Sequence, residues 1–367
     1  MNDRAGLPDI ILFIVTLALL SLGIVMVFSA SSVTAYEEFG DAYYYLKRQS
    51  IWAVIGMVAL IACMNIDYHV WHRLAGVGML LSIAALALVI IPGVGKVVAG
   101  SRRWLGVGLV RVQPSEFAKL GLVIFFAAYF DNLGSDTKTI FRGAVVPLGI
   151  AGVCALLVLL EPDLGTTIGM LGVAWFMLLI AGVQWGVLVG VVALAAPVVY
   201  LYAKSDPVRM RRLTSFVNPW ADPRDSGFHI IQSLLAIGSG GPFGVGLGMS
   251  RQKFRYLPEQ HTDFIFAIIG EELGLMGTLL VLFLYVVFAG RGLRAAFRAP
   301  DSFGTLLASG ITVMVTLQAA MNIAVVTGSM PITGITLPLI SSGGSSLVPM
   351  LAGIGILLNI SRHSEAR

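Results

Sequence analysis

The sequence predicts an all-α integral membrane protein with about ten transmembrane helices. Of its 367 residues, 57% are hydrophobic and only 12% are charged, and the mean hydropathy is +0.87. A soluble domain carries about 25% charged residues, so this composition cannot cover a water-facing surface. Ten helices of roughly 20 residues each would place most of the apolar residues in lipid. The 42 glycines are typical of closely packed membrane helices.

Ten apolar runs supply the predicted spans. Because lipid offers the backbone no hydrogen-bond partner, each run is expected to be a helix. The spans are predicted at residues 8–30, 50–66, 73–92, 114–130, 143–161, 164–183, 184–203, 264–290, 304–327 and 345–361. The first run is longer than the apolar core of a signal peptide, about 7–15 residues, so it is expected to remain as a span. Residues 1–367 are treated as one membrane domain, with a large extracytoplasmic loop at 204–263.

The charge of the short loops predicts how the chain crosses the membrane. Arg291, Arg294 and Arg298 follow the eighth run, and the C-terminal tail is also basic. Short basic loops stay in the cytoplasm, so both termini are expected inside and the 204–263 loop outside. That loop carries eight Lys and Arg residues. Either an anionic ligand such as a pyrophosphate or anionic lipid headgroups would account for them.

Other classes of function find little support in the sequence. Cys63 and Cys154 lie inside apolar runs, so they are expected to be buried thiols rather than a disulfide or a metal site. No cluster of Cys and His has zinc-binding spacing. The net charge of +4 is small, and no basic run is interleaved with aromatic residues, so a nucleic-acid partner is not expected.

The densest group of reactive side chains precedes the eighth span. Glu259, His261, Thr262 and Asp263 fall within five positions at the predicted membrane surface. One interpretation is structural, because Thr and Asp are favoured N-cap residues of a helix. The other is catalytic, because a carboxylate near a cationic loop can act as a general base. The two interpretations are compatible.

Ionisable side chains inside predicted spans need a partner or a function, because they are costly in lipid. Glu271 and Glu272 lie about two turns into the eighth span and point about 100° apart, so they are not expected to face one partner together. Glu116 and Lys119 lie three residues apart in the fourth span and can pair. With Arg111 just outside, we interpret this pair as one wall of a polar cavity rather than as an isolated ion pair.

Two further polar patterns lie near the C-terminus. Gln318 and Asn322 share a helix face and are expected to bond between helices. Residues 338–346, which include Ser341 and Ser345, are rich in Gly and Ser but lack the Gly-Lys-Ser/Thr of a Walker loop. Their backbone N–H groups either face a ligand or simply form a turn.

Together these segments resemble the SEDS family of shape, elongation, division and sporulation proteins, to which FtsW, RodA and SpoVE belong. The matching stretches occur in the family's order and span nearly the whole chain, at 113–119, 161–165, 218–219, 227–233, 257–266, 270–274 and 334–346. Residues 91–95, 100–104 and 250–258 are more similar to the division and sporulation branch than to the elongation branch. Three positions depart from the family: relatives commonly have Gln at Glu161, often an aromatic residue at Ser342 and usually an aliphatic one at Ser329.

The resemblance implies a peptidoglycan glycosyltransferase in the bacterial cytoplasmic membrane, which joins lipid II into glycan strands on the outer face and releases undecaprenyl pyrophosphate. The family's essential aspartate corresponds to Asp263, which would deprotonate the acceptor hydroxyl while the anomeric centre inverts. A class B penicillin-binding protein is the implied partner, and a divalent cation (Mg²⁺ or Mn²⁺) is implicated, without an organic cofactor. The sequence identifies no metal ligands. We expect nine further residues to contact the substrate: Arg111, Glu116, Lys119, Arg209, Arg212, His261, Glu272, Ser341 and Ser345.

Two other functions are compatible with the sequence. Ten helices with intramembrane charges would suit a lipid II flippase, and the loop charges would suit a non-catalytic scaffold for the transpeptidase. The chain has no internal repeat of the kind common in transporters, and its densest polar chemistry lies at the outer surface, which favours an enzyme. The sequence does not separate cell division from spore-cortex synthesis.

Overall fold

The computed structural model describes residues 6–98, 101–107, 110–204, 210–211, 214–225, 227–254 and 256–364. The described chain is mainly helical. Its helices are α1 (Ile10–Phe39), α2 (Tyr44–Asn65), α3 (His69–Ile90), α4 (Pro114–Leu133), α5 (Val146–Leu160), α6 (Leu164–Ile180), α7 (Trp185–Lys204), α8 (Phe228–Ser239), α9 (Ile265–Phe297), α10 (Ser302–Val326) and α11 (Gly344–Ser364). A π-helical turn, Phe141–Val145, leads into α5, and short 3₁₀ turns lie at Gly134–Lys138 and Pro219–Ala221.

The ten predicted spans coincide in order with α1 to α7 and α9 to α11, which confirms the all-α, multi-pass membrane fold. Seven helical segments of the described chain are long and apolar enough to cross a membrane by themselves: Ile10–Phe39, Tyr44–Asn65, His69–Ile90, Phe141–Leu160, Ile265–Phe297, Ser302–Val326 and Gly344–His363. The other three predicted spans are α4, α6 and α7. With 17 residues, α6 rises about 26 Å, near the lower limit for a span.

Helix α1 runs nine residues past the predicted end of the first span, which was residue 30. The first of the additional turns is held by Gln260, whose Nε2 donates to Thr34 Oγ1 at 2.8 Å. The last four residues, 36–39, are exposed and include two glutamates. Hydropathy alone could not predict this extension, because the added turns are more polar than a lipid-facing span.

The all-α expectation missed three short strands between α3 and α4. β1 (Lys96–Val98), β2 (Ser101–Val107) and β3 (Val110–Val112) form an antiparallel sheet in the order β1-β2-β3. Leu105 pairs with Val112 across β2 and β3. The strands are too short to give a period-two pattern that stands out from the surrounding apolar runs.

Helix α9 is broken at Gly274, and part of the long loop fills the break. Gly274 has φ +66°, which favours glycine. The carbonyls of Glu271 and Glu272 accept from Val245 N and Gly246 N, each at 3.0 Å, while Leu275 N donates to Gly241 O at 2.9 Å. The backbone groups freed by the break are therefore satisfied by protein, as membrane depth requires. Part of the predicted outer loop thus reaches into the bundle, led there by α8.

Successive long helices run in opposite directions, so their connections fall at two ends of the bundle. We call the site end the one at which α1, α3, α5, α7 and α10 finish and α2, α4, α6, α9 and α11 begin. At the opposite end, Arg291 Nε donates to Asp9 Oδ2 at 2.8 Å. Asn359 joins α11 to the α2–α3 turn there, through hydrogen bonds with Tyr68 N at 3.0 Å and Met64 O at 2.8 Å. Cys63 and Cys154 are buried free thiols, as predicted.

Candidate active site at one end of the bundle

Asp263 lies in the tight turn that precedes α9 at the site end. Within the described chain, its carboxylate forms no hydrogen bond or ion pair, and the residue is half-buried. Phe264 is the residue before the helix, with no side-chain cap, while the Thr262 hydroxyl bonds Glu259 Oε2 at 2.7 Å. The helix-capping interpretation of Thr262 and Asp263 is therefore wrong. The carboxylate of Asp263 is left for a ligand.

The backbone of this turn is held from two sides. Asn322 on α10 donates through Nδ2 to Asp263 O at 2.7 Å and to Ile335 O at 2.6 Å. The Ser341 hydroxyl donates to Thr262 O at 2.6 Å and accepts from Leu337 N at 2.8 Å. Asn322 thus bonds as expected within the protein, although to loop backbone rather than to a helix. These bonds give the Ser341 hydroxyl a positioning role, and its expected contact with the substrate stays a prediction.

Arg103 and Asp163 form an ion pair beside Asp263 that the sequence analysis did not select. Arg103, on β2, places Nη1 3.3 Å from Asp163 Oδ2 and donates through Nε to the backbone oxygen of Glu161 at 3.0 Å. Asp163 also caps α6 by accepting from Thr166 N at 3.0 Å. These contacts join the hairpin to the α5–α6 turn. Asp163 lies in the family-like stretch 161–165, but nothing in that stretch indicates its partner on the hairpin, Arg103.

Electrostatics link this pair to the carboxylate in the turn. The pKa of Asp263 is raised to about 7, chiefly by burial and then by the negative charges of Glu259 and Asp163, while Arg103 opposes the rise. A carboxyl with this pKa is ionised in a large fraction of molecules at neutral pH and still accepts protons readily. The surroundings of Asp263 thus tune it for proton transfer.

Glu161 is a third carboxyl near this pair, and it is fully buried. Neither of its carboxylate oxygens has a partner among the described residues. Burial and the charge of Asp163 raise the pKa of Glu161 to about 8, and Arg103 lowers it in part. Glu161 is therefore mostly protonated at neutral pH, so it carries little charge beside the Arg103–Asp163 pair.

Glu116 and Lys119 form a buried ion pair at 2.9 Å on α4. Lys119 Nζ also donates to Gln318 Oε1 at 2.6 Å, and Gln318 Nε2 donates to Thr336 O at 3.0 Å. These contacts end at Thr336, two residues from Gly334. Gly334 lies next to the Asp263 side chain, since a Cβ added to it would be 3.6 Å from Asp263 Oδ2. The pair thus braces the wall behind Asp263, and one oxygen of Glu116, Oε2, has no partner.

Glu271 and Glu272 tie the long loop to α9. Glu271 accepts from Arg251 N at 2.9 Å and from the Ser250 hydroxyl. Glu272, which is fully buried, accepts from Ser250 N at 3.3 Å and lies 3.6 Å from Lys253 Nζ. The expectation that the two glutamates would not face one partner is wrong, because residues 250–253 cross both faces of the helix. Glu272 therefore anchors the loop leading to Asp263, instead of meeting the substrate as expected.

Five predicted site residues remain to be placed. Arg111 lies half-buried on β3, at the site end. The His261 ring packs against Tyr45 with centroids 4.3 Å apart, and burial lowers the pKa of His261. Ser345 is buried in the first turn of α11. Arg209 and Arg212 lie outside the described residues.

The described residues do not form a metal site by themselves. No group of three or more His, Cys, Asp or Glu side chains in the described ranges could hold a metal ion. Asp163, the carboxylate beside Asp263, is already engaged by Arg103 and by Gln113 Nε2 at 3.2 Å. The donors present therefore do not fit a resident cation.

Comparison with known proteins identifies relatives along the whole chain. The profile of the cell cycle proteins FtsW, RodA and SpoVE matches residues 10–366. Stage V sporulation protein E of Bacillus subtilis is 47% identical over 367 residues, covering 100% of both chains. A probable peptidoglycan glycosyltransferase FtsW of Geobacter metallireducens is 42% identical over 357 residues, covering 97% of this chain and 95% of the relative.

Solved structures share the fold. A chain from a peptidoglycan synthase complex, studied for how polymerisation and crosslinking are coordinated, has a TM-score of 0.81 at 30% identity and covers 98% of this chain and 99% of its own. The rod shape determining protein RodA of Thermus thermophilus has a TM-score of 0.72 at 29% identity, with 97% of each chain covered.

Proposed function

The chain belongs to the family of cell cycle proteins that contains FtsW, RodA and SpoVE, and from this premise we propose that it is a peptidoglycan glycosyltransferase that polymerises lipid II. The relatives with 42% identity bear the name of this activity. The observation that carries the proposal is the Asp263 carboxylate. It has no protein partner within the described chain, lies on a turn held by Asn322 and Ser341, and is flanked by the Arg103–Asp163 pair.

In the proposed reaction, Asp263 takes the proton of the acceptor sugar's 4-hydroxyl. The oxygen attacks the anomeric carbon of the donor, the bond to pyrophosphate breaks, and the centre inverts. The leaving group carries away the bonding electrons as undecaprenyl pyrophosphate. A base with a pKa of about 7 suits this role at neutral pH. The charge of Asp163 raises the pKa of Asp263, and the charge of Arg103 lowers it.

The developing charge on the pyrophosphate needs positive groups. Arg111 on the hairpin is the described arginine that we assign to this role. Arg209 and Arg212 belong to the same basic loop and are proposed to share it. A divalent cation would supply further charge neutralisation when bound.

The orientation of this multi-pass membrane protein is proposed from its short basic connection, because the long 204–263 loop, which carries eight Lys and Arg residues, is at the length where the rule weakens. The opposite end carries Arg291, Arg294 and Arg298 in a short connection, which favours the cytoplasm. Both termini are therefore proposed to be cytoplasmic, with Asp263 on the extracytoplasmic face of a bacterial plasma membrane. The relative from a peptidoglycan synthase complex supports a crosslinking partner, which we propose to be a class B penicillin-binding protein. The two curated relatives favour the division and sporulation branch.

The deciding experiment uses purified protein in detergent with lipid II, with and without the transpeptidase, and reads glycan chains on a gel. The wild-type protein should make chains. Asp263→Asn, which keeps the shape and removes the base, should reduce chain formation by about 10²–10⁴-fold. Asp41→Asn removes an exposed carboxylate at the same end, paired with Lys47, and should polymerise normally. A flippase or a scaffold would make no chains under any condition, and an active Asp263→Asn variant would remove Asp263 from its role.

A further inference from the structure

A polar cavity lies at the site end, next to the turn that carries Asp263. It measures about 460 Å³ and is bounded by the last turns of α1, the start of α2 and residues 257–261. Six polar residues line it: Thr34, Glu38, Tyr45, Glu259, Gln260 and His261. Its volume is within the range of small-molecule sites. The mechanism above does not use this cavity, and it involves Glu259 only through the effect of its charge on Asp263.

The charge inside the cavity is negative. Glu38 and Glu259 both act electrostatically on the His261 ring, so they approach it from two different elements. Burial outweighs their effect and lowers the pKa of His261, so the ring is neutral at pH 7. No Lys or Arg among the described residues lines the cavity. Lys47, which is nearby in sequence, already pairs with Asp41 at 2.7 Å.

Unpaired polar atoms at the cavity wall are also available as acceptors. Gln260 is 4% exposed, and its Nε2 is fixed by Ala30 O at 3.0 Å and Thr34 Oγ1 at 2.8 Å. This leaves the opposite atom, Oε1, buried without a partner in the described chain. The His261 Nδ1 atom is likewise without a partner. A buried acceptor with no donor is costly unless a ligand supplies the donor.

These features match one kind of chemical group. A primary ammonium has three donors, no acceptor and a positive charge. Two carboxylates and an amide oxygen satisfy the donors. The faces of Tyr45 and His261, whose centroids are 4.3 Å apart, favour a cation beside them. A phosphate or a carboxylate would instead be repelled by Glu38 and Glu259.

The cavity is coupled to the catalytic turn through Glu259. Glu259 O accepts from Thr262 N and Phe264 N, each at 3.2 Å, so the residue opens the turn that contains Asp263. Its backbone has φ +51°, a left-handed conformation that non-glycine residues seldom adopt and that clusters at functional sites. The charge of Glu259 also raises the pKa of Asp263. A group bound in the cavity therefore lies within reach of a substrate whose sugar is at Asp263.

We propose that this cavity is a subsite for a primary ammonium group of the lipid-linked substrate, such as the side-chain amine of a diamino acid in the peptide attached to the sugar. The proposal rests on the proposed function, because it assigns the ammonium to the substrate of the same active site. It adds a specificity. The enzyme distinguishes a charged ammonium from an uncharged, acylated amine at a position remote from the reacting sugar.

The test compares two substrates that differ only in this charge. The probes are lipid II with a free lysine side chain in its peptide and the same molecule with that amine acetylated, since acetylation removes the charge. Dissociation constants are measured with the Asp263→Asn protein in detergent, which does not turn the substrate over. The free amine should bind about fivefold or more tightly, as expected for a partly exposed ion pair.

Two variants in the Asp263→Asn background locate the effect. Glu38→Gln should reduce the preference for the free amine, because it removes one of the two carboxylates of the cavity and leaves Glu259. Glu38 is exposed on the last turn of α1, so the change should not disturb folding. Glu37→Gln removes the same charge one residue away, outside the cavity lining, and should keep the preference.

Equal affinities in the Asp263→Asn protein, or a preference that is undiminished in Glu38→Gln, would overturn the subsite. Both experiments measure dissociation constants, so their outcomes are independent of the polymerisation assay. A preference that depends on Glu38, together with a wild-type protein that makes no glycan, would retain the ammonium subsite and remove the proposed enzymatic function.

Discussion

Replacing Asn322 with leucine should abolish most turnover while leaving the helical bundle folded, and Asn359 provides a matched control. Asn322 is 1% exposed and bridges the backbone oxygens of Asp263 and Ile335 at the site end. Asn359 is 4% exposed and bridges Tyr68 N and Met64 O at the opposite end. Each asparagine therefore makes two hydrogen bonds to backbone, but only one of them touches the catalytic turn.

The two leucine variants should cost similar amounts of stability. Each loses two neutral hydrogen bonds, worth about 1 kcal/mol apiece. Asn322→Leu removes the side-chain donor from two buried backbone oxygens, whereas in Asn359→Leu the Met64 oxygen keeps Arg362 Nη1 as a donor at 3.3 Å. We expect a decrease of about 2–4 kcal/mol in either free energy of unfolding. Only Asn322→Leu also releases the backbone of Asp263. A displacement of about 1 Å at a reacting group can cost on the order of 10² in rate.

The assay is lipid II polymerisation with the thermal unfolding of each purified variant measured alongside. Asn322→Leu should lower kcat about 100-fold with little change in KM, because the base acts only in the transition state. Asn359→Leu should keep kcat within a few-fold of wild type at temperatures well below its unfolding. Equal losses of kcat in the two variants would mean that stability, and not the position of Asp263, limits turnover, and the positioning argument would fail.

Four further predictions concern the charges around the turn and the loop that leads to it. Polymerisation should rise with pH through a midpoint near 7, because Asp263 must be ionised to act as a base. Glu161→Gln should match wild type at pH 7 and differ from it only above about pH 8, where the wild-type carboxyl ionises beside Arg103; superimposable pH profiles up to pH 9 would contradict this. Arg103→Gln should move the acidic limb about one unit to higher pH, since Arg103 opposes the rise in the pKa of Asp263, and an unmoved limb would place Arg103 outside the field of Asp263. Glu271→Ala should speed amide hydrogen exchange at residues 250–253, whose backbone it accepts from, and unchanged exchange there would show that the loop does not depend on it.

The path of the helices could be predicted from hydropathy, because a lipid-facing backbone leaves the helix as its main option. Predictions were weaker where protein replaces lipid as the neighbour. The first added turn of α1 is held at Thr34 by Gln260, which is more than 200 residues away in the chain. The break at Gly274 depends on residues 241–246 filling the open hydrogen bonds. A glycine in an apolar run carries no sign of such a partner.

The candidate site was predictable at Asp263 and less so around it. Asp263 stood out because it lay in a dense polar segment at the end of a span. Arg103 and Asp163 did not stand out, because they are 60 residues apart and pair only when the hairpin meets the α5–α6 turn. Ser341 and Glu272 were selected as ligand contacts from residue type alone. Their hydrogen bonds to Thr262 O and Ser250 N are formed with distant backbone, which no local pattern reports.

The buried polar groups of this bundle serve a common purpose, which explains why so many charges are kept inside a membrane protein. Glu271 and Glu272 fix residues 250–253, the Lys119–Gln318 contact braces Thr336, and Asn322 with Ser341 holds the turn itself. In a low-dielectric interior each such group is expensive without its partner, so the alternative arrangements of the turn are strongly disfavoured. The turn is thereby held in one geometry, and the carboxylate of Asp263, which none of the described residues bonds, faces the substrate already oriented. A base preorganised in this way avoids reorganisation at the moment of reaction. This gain in rate offsets the free-energy cost of burying charged residues away from water.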